Sequence, residues 1–196
     1  MMNHEVSPAP VEVSRVSSQP ARIGRLVVPA GVAALVVAVA AQFVVPIPVS
    51  PVPMTLQPLA VLVVGGLLGA AGGVSALVLY IALGALGLPV FAAGGSGPFH
   101  LIGPTGGYLL AFPVAAGVTG ALVARAPRSI LRVLLACALG MLIIHAGGLA
   151  QLVFLGGDPA AAVRVGFLPF LTGDLLKVGL AAAVILGLGP RFRPLL

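Results

Sequence analysis

Asp174 and Lys177 stand in surroundings that do not suit their charge. Both lie in Leu171-Thr-Gly-Asp-Leu-Leu-Lys177, inside an otherwise apolar run. A spacing of three puts the two side chains on one face of a helix. An ionisable group at membrane depth costs roughly 2.5–3.5 kcal/mol on insertion scales, so by default such a group marks a functional site turned toward the protein interior. Without a ligand the carboxylate and the ammonium neutralise one another, and a polar ligand could insert between them. The lesser reading is an ion pair that only holds its helix in place.

Other candidates are weaker. Thr55 and Gln57 close Val52-Pro-Met-Thr-Leu-Gln57 and bring a hydroxyl and an amide to the edge of an apolar span, as a lid would require. Thr55 also suits a plain helix N-cap. Tyr108, in Gly103-Pro-Thr-Gly-Gly-Tyr108, is one of two tyrosines in a chain without tryptophan. It could pack beside a ligand ring or anchor the interface. Gly94-Gly-Ser96-Gly97 matches the short Gly-x-Ser-Gly pattern of rhomboid-type intramembrane proteases, and His145 in a later span could serve as its base. With 27 glycines in the chain and Pro98 following at once, a turn serine and a packed or backbone-bonded histidine fit better. His100 has no partners for a metal, so neither metal nor cofactor is expected. Ala30, Ala34 and Ala38, continued by Gln42, form a four-residue stripe that would let another helix approach closely. Cys137 is the single cysteine and reads as packing. No nucleotide-binding motif is present, so any ATP is hydrolysed by another chain.

These residues are carried by a chain that water cannot surround. Of its 196 residues 60% are hydrophobic and 7% charged, and the mean hydropathy is +1.21. A soluble domain carries about 25% charged residues. A soluble enzyme and a disordered chain are both excluded, which leaves an all-α integral membrane protein. A barrel would alternate polar and apolar residues, whereas Val27–Val45 is apolar on every face. The stretch 26–189 has room for about six spans of roughly 20 residues. We place them at 26–45, 55–69, 74–88, 105–124, 129–155 and 167–188. A disordered cytoplasmic tail is expected over 1–25, before a membrane domain over 26–196. Four prolines within 46–53 rule out a helix interior there. Residues 69–73 read as a tight turn and 90–104 as a Gly/Pro-rich loop.

The net charge of +6 reflects topology rather than nucleic-acid binding, because the bases are scattered at helix ends without interleaved aromatics. With the N-terminus inside, Arg15, Arg22, Arg25, Arg125, Arg128, Arg132, Arg191 and Arg193 all fall on the cytoplasmic face, and Arg164 alone falls outside. That bias puts both termini in the cytoplasm. The two Pro/Gly-rich loops then share the outer face.

Four ordered motifs resemble the biotin-transport S-component (BioY) family of energy-coupling-factor transporters. They are Val52-Pro-Met-Thr-Leu-Gln57, Gly84-Ala-Leu-Gly-Leu-Pro-Val-Phe-Ala-Ala-Gly-Gly95, Gly103-Pro-Thr-Gly-Gly-Tyr108 and Gly173-Asp-Leu-Leu-Lys177. The resemblance implies a six-helix, multi-pass protein of the cell (inner) membrane that is not an enzyme and binds biotin in a pocket open to the outer face. Asp174, Lys177, Tyr108, Gln57, Thr55 and Ser96 would line that pocket. A transmembrane coupling subunit and paired ATPases would be the partners, docked against Ala30, Ala34 and Ala38, with the lipid bilayer around them. A homo-oligomer is compatible with this reading. The alternatives are a self-contained carrier working without ATPases and, remotely, an intramembrane serine protease. The chain departs from the family pattern in two places: some members carry Asn at the position of Ser96, and Arg at that of Leu109. The second departure leaves the partner of the substrate carboxylate unassigned.

Overall fold

A computed structural model describes residues 20–192, with the side chains of 27–189. Of the tail expected over 1–25, residues 1–19 lie outside the described residues, as does Arg193. Residues 20–25 are not tail but the first turns of a helix.

The described residues are predominantly helical, because in hydrocarbon each backbone N–H and C=O must find its partner within the chain. In order they form α1 (Pro20–Ala41), β1 (Val44–Val45), β2 (Met54–Thr55), α2 (Gln57–Ala85), α3 (Phe99–Ile102), α4 (Gly106–Arg125), α5 (Ile130–Gly156), α6 (Pro159–Gly166) and α7 (Leu171–Phe192). Among the described residues four helical stretches are long and apolar enough to cross a membrane: Gln57–Ala85, Gly106–Arg125, Ile130–Gly156 and Pro159–Gly189. A shorter apolar stretch, Val27–Ala41, lies within α1. This is a multi-pass membrane protein.

Two loops differ from expectation in detail. The proline segment is a hairpin, closed where Val44 pairs with Thr55 and Val45 with Met54 in an antiparallel ribbon. Ribbons of two residues leave no periodic trace in a sequence. The 90–104 loop contains one helical turn of 3₁₀ type at Ala92–Gly94 as well as α3.

Helix α2 also corrects the expected turn over 69–73. Only Gly69 leaves helical geometry, at φ 72° and ψ −177°, a conformation that favours glycine, and residues 70–73 continue as helix. The chain doubles back at this single residue. A Cβ on Gly73 would stand 3.0 Å from the Cα of Gly65, eight positions earlier, whereas a straight helix would separate the two by about 12 Å. The first limb then lies so close to α4 that a Cβ on Gly65 would overlap the backbone carbonyl of Ala116.

Helix α1 packs its small residues inward. Ala30, Ala33, Ala34, Val37, Ala38 and Ala41 are buried, Ala34 to 2% exposure, while Val28, Val32, Leu35, Val36 and Val39 face outward. The expectation that Ala30, Ala34 and Ala38 form a docking face is corrected here. Their smallness serves close packing within the chain, and a buried stripe offers no surface. Cys137 is likewise buried in the core.

Gly65→Leu should separate the first limb of α2 from α4 and lower the thermal midpoint in detergent, read by circular dichroism, by 10 °C or more on the order of overpacking effects. Gly31→Ala, where a Cβ meets nothing within 4 Å, should leave the midpoint unchanged.

Candidate functional site

One end of the bundle holds a cavity of about 310 Å³. Its walls come from segments far apart in the chain: the proline hairpin, the starts of α2, α4 and α7, the 91–104 loop and the later half of α5. Helix α4 starts at this cavity and ends at Arg125, so the arginine-bearing turn before α5 lies at the opposite end.

The floor is polar. Asp174 and Lys177 lie one turn apart near the start of α7, each 5% exposed. Lys177 Nζ donates to Asp174 Oδ1 at 3.0 Å, and His145 Nε2 meets Asp174 Oδ2 at 2.6 Å. A carboxylate only accepts, so the proton of that second bond sits on Nε2. His145 Nδ1 is then left buried without a hydrogen-bond partner. His145 is thus neither backbone-bonded nor merely packed, and its imidazole is engaged by a carboxylate rather than by Ser96. The ring is edge-on to Phe167 at 5.0 Å between centroids and to Tyr108 at 6.0 Å.

A second polar group lies under the proline hairpin. Thr55 Oγ1 donates to Gln57 Oε1 at 3.1 Å and accepts from the Gln57 backbone N–H at 3.2 Å. Gln57 Nε2 donates to the Tyr80 hydroxyl at 2.7 Å, which donates in turn to the Val90 carbonyl at 3.0 Å. This network ties the start of α2, the end of α2 and the loop behind Phe91 into one wall. Gln42 adds a tie from α1: its Oε1 accepts from the Gly94 N–H at 3.0 Å, and its Nε2 donates to the Ala38 and Phe91 carbonyls at 3.0 and 3.3 Å.

Most of the remaining surface is apolar, with Phe91, Leu109, Phe112, Ile144 and Phe170 around the middle and Pro51, Val52 and Pro53 at the hairpin, and His100 and Thr105 add polar groups. Tyr108 is held at the wall by its hydroxyl, which donates to the Gly166 carbonyl at 2.7 Å. Its ring fits only because residue 148 is glycine; a Cβ there would overlap it.

Five expected site residues, Thr55, Gln57, Tyr108, Asp174 and Lys177, therefore line one cavity. Ser96 is not in the lining; its backbone carbonyl accepts from His100 Nδ1–H at 2.7 Å and so shapes the loop. His145 and Tyr80 are the residues that sequence reasoning missed. The signal for His145 was present, because an ionisable side chain at membrane depth carries the same cost that singled out Asp174. What was missing was the 29-position pairing.

A helical membrane bundle with a largely apolar cavity and a few converging polar groups defines a small-molecule-binding membrane protein. The BioY family model matches residues 12–194, and the chain belongs to the BioY family. The "Biotin transporter BioY" of Thermotoga maritima is 40% identical over 164 residues, covering 84% of this chain and 95% of that protein. The "Probable biotin transporter BioY" of Pyrococcus horikoshii is 39% identical over 138 residues, covering 70% and 80%. The fold is shared with the crystal structure of the S-component for biotin from an ECF-type ABC transporter, at TM-score 0.81 and 23% identity over 90% of this chain and 97% of that one.

Asp174→Asn strands the Lys177 ammonium in the interior, and losing one partner of a buried pair costs about 3–5 kcal/mol. The single variant should melt well below wild type by circular dichroism. Asp174→Asn combined with Lys177→Met should recover most of that loss, because no unpaired charge remains.

Proposed function

We propose that this chain is the biotin-binding membrane subunit of a biotin uptake transporter and takes its ligand into the cavity from the outer face. The observation that carries the reading is the pairing of a polar floor with an apolar wall in a space of about 310 Å³, at the lower end of the range for small-molecule sites. Biotin offers two ureido N–H donors, a ureido carbonyl, an apolar sulfur-containing ring and a flexible chain ending in carboxylate. Asp174 accepts N–H bonds, and Lys177 has protons to spare for an oxygen. Thr55 and Gln57 add polar contacts below the hairpin, and Tyr108 with the phenylalanines encloses the ring. Ser96 contributes through the shape of its loop.

We further propose six crossings with both termini cytoplasmic. The reversal at Gly69 divides α2 into two limbs, which with α1, α4, α5 and α7 make six. A Cβ on Gly120, five residues before Arg125, would stand 2.5 Å from the Gly69 carbonyl carbon, so the Gly69 reversal lies at the arginine end, away from the cavity. Gln42 ties the end of α1 to the cavity loop, so α1 begins, and α7 ends, at the arginine end too. Cytoplasmic arginines then leave the cavity facing outward. The likeness to an ECF S-component supports a coupling subunit and paired ATPases as partners.

Purified chain in detergent should retain radiolabelled biotin, and Asp174→Asn should abolish that binding. Liposomes containing the chain alone should show no biotin flux above empty liposomes. Flux from the chain alone would establish a self-contained carrier, and absence of binding would refute the reading.

A further inference from the structure

We propose that Gly84 and Gly148 determine which ligands this cavity admits, because each is the seat that lets one aromatic ring withdraw from the space a ligand fills. The inference rests on the biotin reading and concerns the part that polar groups do not explain, the fit of the fused second ring. Phe91 and Tyr108 both line the cavity, and both are buried. The tip of the Phe91 ring lies against Gly84, in the last turn of α2. The tip of the Tyr108 ring lies against Gly148 on α5. A Cβ at either glycine would overlap carbons at the tip of the facing ring.

Neither ring is free to back away from its seat. The loop that carries Phe91 is tied to Gly84 itself, since the Gly97 N–H donates to the Gly84 carbonyl at 2.7 Å and the Phe91 N–H to the Gly95 carbonyl at 3.0 Å. Tyr80 and His100 flank the Phe91 ring, each at 5.7 Å between centroids. Tyr108 is pinned at its far end, where its hydroxyl donates to the Gly166 carbonyl at 2.7 Å, and His145 stands edge-on to its ring at 6.0 Å. A methyl at either seat therefore drives the ring toward the open volume that both rings border, the cavity. Close-packed interiors feel a change of one methylene, and a pocket resolves one methylene in its ligands by about 10–200-fold. The seats belong to α2 and α5, whereas Asp174 and Lys177 belong to α7. A narrowed cavity thus sorts ligands by the girth of their ring system while the polar pair offers the same contacts.

Isothermal titration calorimetry of the purified full-length chain in detergent, with biotin and with desthiobiotin, separates girth from polarity. Desthiobiotin keeps the ureido group and the carboxylate chain and lacks the sulfur that closes the second ring, so it is the slimmer ligand. Gly84→Ala and Gly148→Ala should each raise the Kd for biotin at least about tenfold more than the Kd for desthiobiotin. Gly156→Ala, on the same helix as Gly148 but where a Cβ meets nothing within 4 Å, should leave both Kd values unchanged. Shaving the ring removes the cause: Gly84→Ala combined with Phe91→Leu should show the biotin-to-desthiobiotin ratio of Phe91→Leu alone. Equal losses for the two ligands in the folded alanine variants, or no loss, would overturn the proposal. So would a ratio that the Phe91→Leu background fails to restore. If neither alanine variant folds, Phe91→Leu tests the idea from the other side. Its wider cavity should accept biotin sulfone, which carries two further oxygens on the ring sulfur, better relative to biotin than wild type does, and an unchanged ratio overturns the assignment. Wild-type binding with unaltered ratios in the variants refutes this inference alone, whereas absence of any wild-type binding refutes the biotin reading beneath it.

Discussion

The carboxylate of Asp174, held in an apolar interior between an ammonium and an imidazole, sets conditions for everything around it. Its two oxygens are each engaged, at 3.0 Å by Lys177 and at 2.6 Å by His145. A buried charge is tolerable only with such partners, and the partners come from α5 and from α7 itself. The packing of those two helices is thereby held to a register in which position 145 meets position 174. The aromatic rings of Tyr108, Phe167 and Phe170 pack around the imidazole and hold it against the carboxylate.

The walls that enclose the cluster depend on close backbone approach. Without hydrophobic drive between helices in lipid, association comes from van der Waals contact, and small residues let it happen. Gly65 against Ala116 brings the first limb of α2 onto α4, and a Cβ on Gly107 would overlap the Gly147 carbonyl, which marks the contact of α4 with α5. Space opens at one end, where the proline hairpin and the 91–104 loop replace helix with irregular backbone. Such backbone is tolerated near membrane depth where it lines a cavity.

The apolar helical character of the chain, the two irregular loops and the polar pair on α7 were legible in the sequence, because each rests on a local property: apolar run length, proline content, charge in an apolar window. The Gly69 reversal was legible as a turn but not in its economy, since neighbouring small residues leave open which one breaks the helix. The burial of Ala30, Ala34 and Ala38 was read the wrong way round. Small-residue spacing reports that something approaches closely, and it is silent on whether the neighbour belongs to the same chain. His145 needed information the sequence lacks, namely which helix stands opposite. Ser96 was drawn into the site by its loop, yet what that loop presents inward is Phe91, Ala92, His100 and Pro104.

Gln42 spans three backbone groups: the Ala38 carbonyl on its own helix, and the Phe91 carbonyl and Gly94 N–H on the loop. Phe91 also packs edge-on against Tyr80 at 5.7 Å, and Tyr80 is bonded to Gln57. A single amide therefore makes the tilt of α1 and the shape of the cavity roof one mechanical coordinate. Whatever leans on the outer face of α1 leans, through one side chain, on a ring that lines the cavity.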